Sequence, residues 1–441
     1  MNKENLIQKT TSSISFKFIL VGILSLLLLI PAGSIKSLIM ERQLRNEEVK
    51  EEVGNLWGDQ QAISGPVLSI PLVFKEKADD EIIDVKRWYH ILPEHLLIKT
   101  NLVPEERYRG IFKVIVYTSS LNFDGYFKIP DFSEFKIRPD EILYDQAILD
   151  INLSDNRGLK DNPSLLANNN ELEIIPGSEV FDHLEGGFHS YFELDSSEIN
   201  KEIHFNLRLN LAGSEKLTMY PLGKQTAAEI SGNWGDPSFT GSFLPEEREI
   251  TESSFTANWV ITQLNRSYPQ NWYKGSHSVN DSDFGVELIK PADHYQKSLR
   301  SVKYALMFIA LTFLVFILNE ILNKRRFHPV QYVLVGFALV VFYVLLVSLS
   351  EHLGFNLAYA ISSLSTIILI SYYTYASFKE TKSTLIAAST LTVLYIFLFV
   401  NLQLKDYGLL FGSIGLFIAL TLFMILTRNI KWYNTGEPDS N

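Results

Sequence analysis

No cysteine occurs anywhere in the chain. That excludes disulfides, thiolate nucleophiles and cysteine-based metal sites, so a domain facing an oxidising compartment is stabilised by its own core. Catalytic signatures are missing as well. There is no H-E-x-x-H, no G-x-S-x-G, no dinucleotide fingerprint and no Walker loop. Gly223-Lys224-Gln225-Thr226 lacks the upstream glycine and the Ser/Thr placement of a phosphate loop. Excess positive charge is missing from the middle of the chain: residues 41–300 hold 26 Lys and Arg against 43 Asp and Glu, a net charge of −17. An acidic segment of that size is unsuited to nucleic acid and to anionic lipid surfaces.

Long apolar runs are what the chain does have. Val333–Leu349 is a membrane helix of minimal length, close to the ~20 residues a bilayer core demands. Lys324, Arg325, Arg326 and His328 precede it, and only Glu351 and His352 follow, so it enters from the cytoplasm and exits outside. Further runs lie at Tyr304–Leu322, Leu357–Phe378, Thr384–Leu402 and Gly408–Leu426. Near the N-terminus, Phe18–Ile30 continues past Pro31 through Ile35, Leu38, Ile39 and Met40, too long for a typical signal-peptide centre; an uncleaved anchor kinked at Pro31 is expected. Lys3, Lys9, Lys17, Lys379, Lys382, Arg428 and Lys431 then all fall inside, and the short outer loops carry only Lys405. Trp432 and Tyr433 stand where an inner aromatic belt is expected.

Between anchor and block the period changes. Glu41–Trp57 reads as a charged helix continuing from the anchor. Ile203, Phe205, Leu207, Leu209 and Leu211 then alternate with polar residues, the mark of a half-buried strand. Leu149, Ile151 and Leu153 alternate with Asp150, Asn152 and Ser154 in the same way. Other strand candidates are Ile63–Phe74, Arg87–Leu92, Leu96–Leu102, Ile111–Thr118, Leu172–Ile175, Ser254–Leu264 and Gly285–Ile289, which suggest antiparallel sandwich or barrel-like layers. The segment 155–170, rich in Asp, Asn, Gly and Pro, marks a boundary between β layers or subdomains. Pro291-Ala292-Asp293 reads as a turn and helix cap leading into the membrane block.

The expected fold is therefore a polytopic α-helical membrane protein of six transmembrane helices, with a large, mostly β periplasmic domain inserted between helices 1 and 2. The divisions are a cytoplasmic N-terminus at 1–17, helix 1 at 18–40, the β-rich domain at 41–300, a five-helix block at 301–428 and a cytoplasmic tail at 429–441.

Few residues in this pattern point to chemistry. Glu320 is the only acid inside an apolar run, which suggests a proton or ion site. Its place in the last turn of the run favours another reading, an interfacial acid that snorkels and pairs with Lys324 at i+4. Glu351 and His352 lie about 25–30 Å from Glu320 and His328 along the intervening helix, so they share no site; loop capping or domain docking is favoured for them. Trp234, Pro237, Phe239, Gly241, Phe243, Leu244 and Pro245 form an aromatic, proline-rich loop, read equally as a binding lip or a buried crossover. Gly408 and Gly412 form a G-x-x-x-G for close helix packing within the chain or between copies in a homo-oligomer. His204 faces the wet side of its strand.

Several stretches together resemble one family along the whole chain, the CreD family of inner-membrane, cell envelope integrity proteins. They are Ser64-Gly65-Pro66-Val67 with Ile70-Pro71, Asp155-Asn156-Arg157-Gly158-Leu159 and the run Asn233–Pro245. Pro291–Gln296, His328-Pro329-Val330-Gln331-Tyr332, Ser350–Phe355 and Leu426–Tyr433, with Arg428 within it, continue the series. The resemblance implies envelope maintenance, colicin tolerance and a link to β-lactam response under a two-component regulator. It implies no reaction, no catalytic residue and no cofactor. The expected role is non-enzymatic, with the bilayer and a periplasmic or membrane protein as partners. Two rivals are carried beside it. Glu320 with Ser362, Ser363, Ser365, Thr366 and Ser371 would suit a transporter. The Trp234 loop with the Glu351-His352 corner would suit an enzyme acting on envelope polymer or lipid.

Overall fold

The computed structural model describes residues 14–78, 81–132, 137–181, 183–195, 198–273, 277–288, 294–322, 327–404 and 407–428. Two compact units emerge. One joins Met1–Asn46 to Ala292–Asn441, and the other is Glu47–Pro291. The unit boundaries thus fall inside the expected 41–300. Of the expected features, Pro291-Ala292-Asp293, Lys324 to Arg326 and Trp432-Tyr433 lie outside the described residues.

The helical unit begins with α1 (Ile14–Leu27) and α2 (Leu29–Trp57). Their break at Leu28 sits one turn before Pro31, whose ring cannot tolerate the carbonyl four residues back and which has no N–H to donate. The C-terminal part contains α3 (His294–Lys303), α4 (Ala305–Leu322), α5 (Pro329–Leu353), α6 (Phe355–Phe378), α7 (Thr381–Gln403) and α8 (Gly408–Thr427). Among the described residues, four helices are long and apolar enough to cross a membrane, and α3 with α4, bent by 49°, make a fifth if taken as one span. The expected sixth run is present only as the shorter apolar stretch Leu410–Ile425 within α8.

The helices carry apolar side chains outward as well as inward. Ile19, Leu26 and Ile30 are more than half exposed, as are Phe337, Leu364 and Phe417. Such continuous apolar surface is stable in lipid and not in water. Inward, α5 buries Val335, Leu339, Phe342, Tyr343 and Leu346 at helical spacing.

The β unit holds two sheets, of nine and eight strands. The first is centred on Gln61–Ala78, antiparallel to Glu81–Ile91 and Ala147–Leu153 and parallel to Lys216–Met219. The second is built on His95–Arg109, Phe112–Lys128 and Glu202–Ser214, with Gln225–Gly232 parallel to the first of these. The sheets are therefore mixed, which corrects the purely antiparallel expectation. One hydrophobic cluster draws residues from both sheets, so they face each other across a single core. Residues 155–163 carry the chain from Ala147–Leu153 in one sheet to Ser164–Ala167 in the other.

Local patterning agrees with the structure where one face is wet. Ile203, Phe205, Leu207, Leu209 and Leu211 are buried, and the residues between them are not. It fails at Ala147–Leu153, where every residue is buried. Asp150 and Asn152 do not face water. Asp150 accepts from the backbone N–H groups of Glu179 and Phe181, and Asn152 from that of His183, so residues 178–181 and 183–184 cover this face. Of Leu172–Ile175, expected as a strand, residues 172–174 lie between two two-residue strands, Asn170–Glu171 and Ile175–Pro176, and only Ile175 is in one.

His90 makes the β unit sensitive to acid. It is packed against Trp272 and Phe181 and bonded to Ser69 Oγ at 2.9 Å. Burial pushes its imidazole down from 6.5 to about 4. Between those values the unfolded chain binds more protons, so stability is full above the upper value and is lost as pH falls towards the lower. The loss attributable to this one residue is about 3 kcal/mol. Thermal unfolding of the full chain in detergent, followed by tryptophan fluorescence between about pH 7 and pH 4, should show His90→Gln with a shallower acid destabilisation than the parent. Identical pH slopes would refute the assignment.

Candidate functional site

Ile309, Phe313 and Phe316 form the buried stripe of α4, and Glu320 continues it one turn further. The carboxylate is thereby turned inward, and it is 7% exposed. Lys17 Nζ, from α1, donates to Glu320 Oε1. Tyr332 Oη, from the first turn of α5, donates to Oε2 at 2.9 Å. Both partners are themselves largely buried. The expected pairing with Lys324 lies outside the described residues; among those described, the Glu320 side chain is buried and its two oxygens are engaged by Lys17 and Tyr332.

A second cluster repeats this chemistry at the other end of α5. Glu351, in the last turn, accepts from Tyr295 Oη at 3.1 Å and lies 3.6 Å from Arg42 Nε of α2. The Glu351 side chain is 8% exposed and that of Arg42 is 45% exposed. Tyr332 and Glu351 are about 28 Å apart along α5, close to the thickness of a hydrocarbon core. Each cluster is a carboxylate held by one cation and one tyrosine, and each ties the N-terminal helices to the C-terminal block. The buried Lys17–Glu320 pair resists removal of one partner far more than the solvent-screened Arg42–Glu351 pair.

The remaining candidates settle into structural positions. His328 is the N-cap of α5. Its Nδ1 accepts from Val330 N–H at 3.3 Å, and its own N–H donates to Gln331 Oε1 at 2.9 Å, a reciprocal cap with Pro329 in the first helical position. Gly354 ends the same helix at φ +74°, and α6 begins at the next residue, so His352 is exposed at a tight helical turn. Arg428 is exposed at the end of α8, where its charge suits the helix dipole. A Cβ on Gly408 or Gly412 would meet Asn401 and Tyr304 of the same chain at ordinary contact distance. Thr366 and Thr374 donate to carbonyls four residues back in α6 and Ser363 to one three back, the usual way a hydroxyl is satisfied in lipid.

In the β unit, Ser238–Gly241 is an edge strand of the first sheet and Glu247–Ile250 an edge strand of the second. The loop around Pro245 joins them. Trp234 and Phe239 pack on the core, and Trp259 Nε1 donates to Phe243 O at 3.0 Å. Pro237 and Pro245 are half-buried, and Leu244 stands out at 70% exposure. The loop thus sets Trp234, Phe239 and Phe243 on the core while Gly241 and Leu244 stay exposed. A cleft of about 530 Å³ is lined by Asp59, Asp155, Arg157, His183 and Glu185 among others. Its Asp155 carboxylate is committed to the fold. Asp155 accepts from Arg157 and from Asp59 N–H, while Arg157 also donates to Asn55 O at 3.0 Å. Burial raises the affinity of Asp155 for a proton, but these bonds outweigh it and hold the carboxyl below its ordinary range. Gly158 belongs to the same clasp: a Cβ there would lie 2.4 Å from Ala212 O.

Lys17, Arg42, Tyr295 and Tyr332 are the residues that sequence reasoning missed as site partners. A signal for the first was available, since Lys17 and Glu320 bound apolar runs expected to end on the same side of the membrane.

A family model described as CreD, "Inner membrane protein CreD", matches residues 13–433. The inner membrane protein CreD of Escherichia coli K12 is 34% identical over 420 residues, covering 94% of this chain and 92% of that protein. Among solved structures, an M1 zinc metallopeptidase from Deinococcus radiodurans and a mutant of it align over 38% of this chain and 38% of their own. Their identities are 10% and 9% and their TM-scores 0.20 and 0.21, too low to carry any argument.

Glu320→Gln removes the counter-charge of a buried lysine, and breaking a buried pair in this way costs about 3–5 kcal/mol. The variant should show a clearly lowered thermal midpoint in detergent, whereas Glu351→Gln, opposite a half-exposed arginine, should show a smaller one. Equal midpoints for parent and Glu320→Gln would show that the pair does not constrain the bundle.

Proposed function

The chain belongs to the CreD family of inner membrane proteins, and from that premise we propose that it is a non-enzymatic, multi-pass protein of cell envelope integrity and envelope-stress response that acts through its β unit in the periplasm. The carrying observation is the pair of carboxylate clusters at the two ends of α5. They fasten the helix that precedes the β unit to the helices that follow it, so both covalent connections of the β unit run into one clamped bundle. That arrangement suits a scaffold that presents a large folded surface at the membrane. The positive-inside pattern supports six spans with both termini cytoplasmic, α8 supplying the sixth.

The rivals have less support. Each oxygen of Glu320 already has a partner, Lys17 or Tyr332, and of the hydroxyls expected to line a transport path Ser363 and Thr366 bond to their own helix, whereas the buried hydroxyls of Ser362 and Ser371 make no hydrogen bond among the described residues. In the cleft that Asp155 lines, its carboxylate serves the fold.

Two tests follow. A reporter active only in the cytoplasm should work when fused after Tyr433 and fail when inserted at Asn162 in the β unit; the opposite pattern would overturn the topology. In cells lacking their own family member, the full chain should restore resistance to envelope stress. A chain with residues 61–288 replaced by a flexible linker, at equal membrane abundance, should not. Full rescue by the shortened chain would refute a role carried by the β unit.

A further inference from the structure

Three rings line up across the outward face of the second sheet. His95, Tyr126 and His204 are directly opposite one another on neighbouring strands. The His95 and Tyr126 rings are stacked, 6.4 Å apart and 7° from parallel, and the His204 ring lies 5.6 Å from that of Tyr126. All three point away from the core, because the alternating positions Phe123, Phe127, Ile203 and Phe205 are buried in it. The next outward row places Asp124 opposite Asn206 and Leu97. Asn206 Nδ2 donates to Asp124 Oδ1 and, at 2.9 Å, to Asn122 Oδ1. Rings and polar row together line a cleft of about 340 Å³.

We propose that this cleft binds an oligosaccharide. A pyranose ring has one apolar C–H face and a rim of hydroxyls. The Tyr126 ring between two imidazoles, one nearly parallel to it and one tilted by 48°, offers aromatic surface for the first. The adjacent Asp124 and Asn206 keep acceptor positions for the second, since a carboxylate has about four lone-pair positions and Asn206 and Asn122 take only two of those on Asp124. The two histidines are two strands apart, about 10 Å, close to the length of a disaccharide, so the row seats more than one sugar. Other ligand classes fit less well. Among the described residues no group of three or more His, Asp or Glu is arranged to hold a metal ion. A phosphate-bearing ligand would meet Asp124 in an acidic unit. The inference concerns the purified molecule and stands apart from membrane topology and from any scaffold role.

The test uses the full chain in lauryldimethylamine oxide, a detergent without sugar groups. Tetra-N-acetylchitotetraose and maltohexaose are titrated by calorimetry, each to low millimolar concentration. At least one should bind saturably. Tyr126→Ala should weaken that binding by about tenfold or more, Asp124→Asn should weaken it less, and Tyr126→Trp should retain it. Tyr191→Ala, an exposed tyrosine on the first sheet, should leave it unchanged. Unfolding midpoints check that each variant is folded. Absence of binding for both sugars, or parental affinity in both Tyr126→Ala and Asp124→Asn, would overturn the proposal.

Discussion

A carboxylate turned into an apolar bundle needs a proton or a cation, and an unpaired buried charge is among the costliest features a fold can carry. Glu320 is turned inward by the same helical stripe that buries Phe313 and Phe316. The nearest answer in sequence would be a lysine one turn on. The structure brings Lys17 from the far end of the chain, with Tyr332 supplying the second hydrogen bond. That choice converts a local electrostatic need into a long-range constraint, because α1 must lie against α4 and α5 for the charge to be met. Glu351 repeats the solution at the other end of α5 with Arg42 and Tyr295. The helix between the two clusters then sets the register of the N-terminal helices against the block.

The same logic of committed polar groups runs through the β unit. Asp150 and Asn152 sit on a central strand and would be expensive there without partners. They hold the backbone at Glu179, Phe181, His183 and Leu184 over the sheet. Asp155 and Arg157 link the crossover between sheets to Asn55 and Asp59 at the start of the unit. Much of the family resemblance falls on such places. The Asp155–Leu159 stretch is a clasp, His328–Gln331 is a helix cap, and Ser350–Phe355 is a helix stop and restart. Motifs of this kind report architecture, which is why they identify a family without naming a reaction.

What could be read from the chain beforehand follows the range of the interactions. Apolar runs and strict alternation are local signals, and they located the membrane helices and the strand Glu202–Ser214. The charged extension of the anchor to Trp57 was equally plain. Pairings that depend on distant segments were not. The covered face of Ala147–Leu153 cannot be told from a wet one by period alone, because the covering loop lies some 30 residues later. The parallel pairings of Gln61–Ala78 and His95–Arg109 arise from crossovers with no local mark. Glu320 was legible as unusual and not as paired to Lys17. His204 looked uninformative on one strand and gained meaning only beside His95 and Tyr126, which register places opposite it.

Rescue by charge exchange tests the clamp most directly. Lys17→Glu alone and Glu320→Lys alone each put two like charges in one buried space, whereas the double exchange restores an opposite pair of similar size. Thermal midpoints of the full chain in detergent should fall sharply in each single variant and recover most of the way in the double. Single variants that unfold at the parental temperature, or a double variant as unstable as the sum of the singles, would contradict a bundle held together by this pair.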